Sequence, residues 1–133
     1  MRDFPLEAIH PQAFKAAEAT HCAGDQGKYW EMHDRLFEHQ KALEPTDLVT
    51  HAQALGLDVG KFSQCLDTST HAGRVRRDLG DGQQAGVTGT PSFFLGVVEP
   101  DDAKMRVVRI LRGALPYGAF KAAIDAAQSQ PQP

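Results

Sequence analysis

Long apolar runs are missing from this chain, and so is a basic head at its start. No stretch approaches the roughly 20 apolar residues that span a bilayer. The opening MRDFPLEAIHP has no cationic segment followed by an apolar one, so no secretory signal is read there. An excess of positive charge is missing too. The formal net charge of -3 argues against a general binder of nucleic acid or acidic membranes. The one basic cluster, Arg74-Val75-Arg76-Arg77, reads as the solvated face of a helix. Cysteine is scarce: Cys22 and Cys65 form no C-x-x-C pair and leave the redox compartment open. Internal repeats are absent.

What is present suits one soluble globular domain. A chain of 133 residues can build a core without staples or metals. Its 41% hydrophobic and 23% charged content is ordinary for that class, so composition marks no disordered or fibrous chain. Phe4-Pro5-Leu6 is apolar and broken by a proline, so residues 1–6 read as the remnant of a strand. A helical block over 10–85 follows. Pro11 fits a first helical position, where its missing N–H costs nothing, and that helix should run from Pro11 to Cys22 and stop near Gly24. A second helix, Lys28 to Leu43, carries Tyr29, Trp30, His33, Leu36, Phe37 and Gln40 on one broad, mostly apolar face. Thr46 is the expected N-cap of a third, closed at Gly56 with Leu57 just after. Asp58 caps a short fourth carrying Phe62, Cys65 and Leu66. The fifth, Thr70 to Ala85, keeps Ala72, Val75, Leu79 and Ala85 near one side. Gly80 and Gly82 weaken it by roughly 1 kcal/mol each, and a glycine kept inside a helix often admits a close neighbour.

The pattern changes at Gly86. Ser92 to Val98 and Met105 to Gly113 are β-rich runs around the polar turn Glu99-Pro100-Asp101-Asp102, so they read as an antiparallel hairpin. Pro116 opens a last helix through about Ala127, with Phe120, Ala123 and Ile124 facing inward. Residues 128–133 read as a frayed tail. Between the helical block and the hairpin lies GVTGTPSFFL, residues 86–95. Pro91 has no N–H for a ladder and so belongs at a strand's start. By itself it fits a trans turn residue at a sheet edge, although X-Pro bonds are also the ones where cis is cheap.

Four segments together carry a family resemblance. They are Arg2-Asp3-Phe4-Pro5-Leu6; His21-Cys22-Ala23-Gly24-Asp25-Gln26-Gly27-Lys28-Tyr29-Trp30 with Met32-His33-Asp34 and Leu36-Phe37; Leu55-Gly56-Leu57-Asp58 with Phe62 and Cys65-Leu66; and Gly86-Val87-Thr88-Gly89-Thr90-Pro91. Gly113-Ala114-Leu115-Pro116-Tyr117 with Phe120 adds a fifth, at a strand-to-helix junction. In this order they resemble the DsbA-like branch of the thioredoxin superfamily. The resemblance implies an α/β fold, a thioredoxin-like sheet with an inserted helical block, here without its first strand and redox helix. It implies thiol–disulfide oxidoreductase chemistry at a C-x-x-C that this sequence does not contain, so no residue is carried over as nucleophile. The chain is expected to be redox-inactive by itself, either as part of such an enzyme or as a module that binds polypeptides.

The resemblance also implies that Thr90-Pro91 is cis. Gly89, Thr90 and Pro91 would then form a substrate platform, with the Thr90 backbone free to take an extended polypeptide or thiol protein as an added strand. A sheet without its middle strand should expose an edge, and a homodimer through that edge is expected. The family's usual setting is extracytoplasmic, an expectation by resemblance only. Family members with cysteines at the places of Cys22 and Cys65 look able to join them. The pair then reads as a structural disulfide, as two buried thiols, or as a second redox couple. His21, Cys22, His33 and His39 match no compact metal-ligand spacing, and Tyr29 and Trp30 stand without a flavin or nucleotide loop. No metal and no cofactor are therefore expected. Glu31 and Asp34 show no partner for paired-carboxylate catalysis.

Overall fold

A computed structural model describes residues 1–98 and 105–129. The chain is mixed α/β, with six helices and one two-stranded antiparallel sheet among the described residues. It divides into two compact units, Met1–Gly86 and Val87–Pro133. The division falls where helix-forming sequence gives way to strand-forming sequence.

The first unit holds α1 (Ala13–Gly24), α2 (Tyr29–Glu38), α3 (Pro45–Ala54), α4 (Val59–Asp67) and α5 (Ala72–Gln84). Phe62, Met32 and Leu48 are fully enclosed at its centre, and Ala19 and Ala23 of α1 let these helices approach closely. Truncating an enclosed Phe typically costs about 3–5 kcal/mol. The end of α3 follows its glycine: Gly56 adopts φ +71, its N–H reaches the Gln53 carbonyl, and Leu57 N–H reaches that of Ala52. That double bond is a Schellman closure, and it drives Leu57 into the core. Asp58 caps α4 by accepting from Lys61 N–H at 3.0 Å, as its position suggests.

Several boundaries differ from the sequence reading. The second helix stops at Glu38 rather than Leu43. Gln40 Nε2 bonds the Phe37 carbonyl at 3.0 Å, so a side chain satisfies a carbonyl that a further turn would have used, and His39 Nδ1 adds a second bond to the Arg35 carbonyl. Its buried line is Met32 and Leu36, whereas Trp30 and Phe37 are 56% and 63% exposed. The cap of α3 is Glu44, not Thr46, because Pro45 takes the first helical position and Asp47 accepts from Glu44 N–H. In α5 the inward line is Ala72, Val75 and Asp78, and Ala85 is exposed. Residues 1–6 form no strand among the described residues, since a ladder needs a partner. Polar bonds hold that segment instead. Asp3 N–H donates to Asp78 Oδ2 at 3.1 Å, and Arg2 Nη1 donates to Asp78 Oδ1 at 2.5 Å. Gly82 has its reason here: a Cβ on it would lie 2.6 Å from the Phe4 ring.

The second unit pairs β1 (Ser92–Val98) with β2 (Met105–Arg112), and α6 (Tyr117–Gln128) packs on them. The register shifts between Leu95 and Gly96, which pair with Arg109 and Val107 and leave Val108 of β2 as the extra residue; a Cβ on Gly96 would collide with the Met105 side chain. Phe93 and Phe120 meet edge-to-face at 4.8 Å, and Ala123 and Leu111 are buried. Ile124, expected inward, is 44% exposed, because α6 presents Phe120 and Ala123 to the sheet. The turn Glu99-Pro100-Asp101-Asp102 and tail residues 130–133 lie outside the described residues.

Candidate functional site

In the second unit, the chain from Thr88 to Ser92 leads into β1 and makes an open concavity. The Thr90-Pro91 bond is cis. Two bonds hold the loop: Gly113 N–H donates to the Pro91 carbonyl at 2.8 Å, and Ser92 Oγ donates to the Gly89 carbonyl at 2.7 Å. Thr90 and Pro91 are exposed, and Thr90 takes no backbone hydrogen bond among the described residues. Gly89, Thr90, Pro91, Arg112 and Gly113 line a hollow of about 160 Å³. Thr88, Ser92 and Arg112 line it too, so it offers hydroxyl and guanidinium side chains as well as the Thr90 backbone for hydrogen bonding. No described side chain there is placed as nucleophile or proton carrier.

In the first unit, Cys22 of α1 and Cys65 of α4 are joined by a disulfide, with Cα atoms 5.9 Å apart. The bond ties α1 to α4 through the core, which selects the bonded alternative left open by the sequence. Cys22 is 1% exposed and Cys65 half-buried. Beside the sulfurs lies His71, whose Nε2 bonds Asp25 Oδ2 at 2.7 Å. Cys22, Cys65 and His71 each bring a ligand-type atom within 4.8 Å of the other two. Sequence reasoning missed His71 and Asp25. Asp25 is the residue that ends α1 after Cys22, and His71 is the residue that opens α5 after the helix of Cys65, so proximity to a bridged pair was the signal that could have found them.

Of the residues whose spacing gave no metal-ligand pattern, Cys22 lies in that cluster and His21, His33 and His39 have other partners. His21 is buried and bonded to Asp3 through Nε2 at 2.6 Å, and its ring lies 5.2 Å from that of Tyr29. His33 Nδ1 bonds Asp34 Oδ1, and His39 bonds a backbone carbonyl. Asp78, also unforeseen, organises the N-terminal segment. Burial pushes its carboxyl up, but the Arg2 hydrogen bond, the Asp3 N–H and the charges of Arg2 and Arg74 outweigh that and hold it below the usual range. Burial, helped by the charge of Asp3, pushes the Tyr29 phenol up. Glu31 ion-pairs with Lys28 at 2.8 Å and takes no part in a paired-carboxylate site.

The family model for a DSBA-like thioredoxin domain matches residues 2–125. Among curated proteins, "Na(+)/H(+) antiporter NhaA 3" of Salinispora tropica is 44% identical over 94 residues, 71% of this chain and 14% of that protein. "Na(+)/H(+) antiporter NhaA 1" of Salinispora arenicola is 45% identical over 94 residues, again 71% and 14%. "Na(+)/H(+) antiporter NhaA 1" of Mycobacterium sp. (strain KMS) is 44% identical over 98 residues, 71% of this chain and 16% of that protein. The chain thus spans only 14% to 16% of the length of these relatives. No solved structure matches.

Proposed function

Because this chain belongs to the DSBA-like thioredoxin domain family, we propose that it is the substrate-holding part of a thiol–disulfide oxidoreductase system. The observation that carries this reading is the unpartnered backbone of Thr90 in the open hollow at the head of β1. An extended polypeptide laid there gains main-chain hydrogen bonds, as in strand addition, with Gly89 and Pro91 framing the contact. Sulfur chemistry of the family kind needs a thiol activated in a C-x-x-C pair. The two cysteines of this chain are 43 residues apart in sequence and bonded to each other. These 133 residues alone are therefore expected to give no turnover in an insulin-reduction assay. Measurable turnover by the chain alone would overturn this assignment of roles.

A second reading has its own observation. The described sheet has two strands, so each strand keeps one side without a ladder, and such edges recruit other chains. The chain then acts as a binding or assembly module, and it self-associates through that edge. Light scattering at micromolar concentration distinguishes the two: a dimer supports the assembly reading, and a monodisperse monomer rejects it. Ion transport is not carried over from the antiporters, whose length this chain covers by about one seventh. Among the described residues no helix is long and apolar enough to cross a membrane.

A further inference from the structure

The cluster around the disulfide belongs neither to the Thr90 hollow nor to any chemistry assigned so far. Its donors are two sulfurs and an imidazole, mutually within 4.8 Å, and the imidazole is oriented by a carboxylate. We propose that this disulfide is the closed form of a redox-gated metal site, and that reduction opens it to bind one thiophilic divalent cation, of which zinc is the type, through Cys22, Cys65 and His71.

Three physical points carry the inference. Two Zn–S bonds of about 2.3 Å in tetrahedral geometry hold their sulfurs about 3.8 Å apart. Two thiols freed from a disulfide must separate to about that distance by van der Waals contact alone. The reduced pair therefore reaches ligand spacing by side-chain movement, with the helices still packed on Phe62 and Met32. Next, His71 gives one ring nitrogen to Asp25 at 2.7 Å. The same Asp25 Oδ2 lies 3.8 Å from Cys65 Sγ, so the carboxylate stands against both the imidazole and a sulfur, as a group that positions donors around a cation does. Finally, three protein ligands leave a fourth position open, and half-buried Cys65 and His71 give it a route to solvent. His21, 5.5 Å from the His71 ring, is already engaged by Asp3 and is not a ligand.

The balance is simple. A dithiol reductant supplies two electrons and two protons, the Cys22–Cys65 bond breaks, and the reductant becomes a disulfide. The cation then displaces both thiol protons, which leave to solvent, so binding is stronger at higher pH. In the oxidised chain both sulfurs are spent in one covalent bond and the site is shut.

The test uses the full chain, oxidised or reduced by a phosphine under anaerobic conditions, titrated with cobalt(II) as a spectroscopic stand-in for zinc(II). The oxidised chain should show no thiolate-to-cobalt charge-transfer band. The reduced chain should bind one cobalt per chain with tetrahedral visible absorption, and zinc should displace it. His71→Ala should weaken binding at least tenfold, and Asp25→Asn should weaken it about 10–100-fold, the usual range for loss of an orienting carboxylate. Far-UV circular dichroism accompanies each titration. If reduction unfolds the helices, recovery of helicity on adding zinc supports the site, and failure to recover overturns it. A folded reduced chain without the charge-transfer band, or with binding undiminished in His71→Ala, overturns it equally.

Discussion

Removing the Cys22–Cys65 bond is the largest single perturbation that this fold allows us to compute. The two cysteines are 43 residues apart, so their bond closes a loop spanning the end of α1, all of α2 and α3, and most of α4. Denying the unfolded chain that constraint lowers stability by about 4 kcal/mol on the chain-entropy model. In the double variant Cys22→Ala with Cys65→Ala, loss of a sulfur from a site 1% exposed adds packing loss on top, so about 4–5 kcal/mol is expected. A domain of 133 residues shifts its midpoint by roughly 3–4 °C per kcal/mol, which puts the drop in Tm at about 12–20 °C. The assay is urea unfolding followed by helical circular dichroism, with thiol titration to establish that the reference protein is oxidised. The urea dependence should steepen as well, since the unlooped unfolded chain exposes more surface. A difference below about 1 kcal/mol would refute the reasoning, because the loop-closure term alone exceeds it.

Three further outcomes follow from single contacts. Gly82→Ala places a methyl 2.6 Å from the Phe4 ring and should cost about 1–3 kcal/mol in thermal unfolding. Gly80→Ala, with nothing within 4 Å, should instead be neutral or stabilising, and equal effects at both sites would refute the packing argument. Asp78 has a folded-state carboxyl below its ordinary value of about 3.9, so its contribution is present above that pH and fades as pH falls through the folded value. Asp78→Asn should lower stability at pH 7 by about 1–3 kcal/mol and flatten the acid limb below pH 4. An unchanged acid limb in pH-dependent melting would contradict that sign.

Much of the fold was legible because it rests on local signals. Runs rich in β-formers around a polar turn announced the hairpin, Gly56 announced the closure of α3, and Asp58 the cap of α4. The candidate loop was legible for the same reason, since Gly89-Thr90-Pro91 is one contiguous run. What stayed hidden depended on distant partners. Nothing local tells that Asp78, inside a stretch rich in arginine, turns inward to take the backbone of Asp3. Nothing local joins His71 to Asp25, because their meeting follows from α1 and α4 being bonded together. The α2 face was misjudged because period alone cannot say which of two apolar lines is covered. Met32 and Leu36 are buried, and the Trp30, His33 and Phe37 rings stack along the surface at 5.3 and 4.8 Å.

The account's central claim is that polypeptide is held by the backbone at the head of β1. Titrating the ¹⁵N-labelled chain with an unstructured, cysteine-free peptide and following its amides tests this directly. Saturable shifts centred on Gly89, Thr90 and Ser92, with a Kd at or below about 1 mM, corresponding to roughly 4 kcal/mol of binding, are the predicted result. Shifts confined to the Trp30–Phe37 row, or none at that concentration, would contradict it.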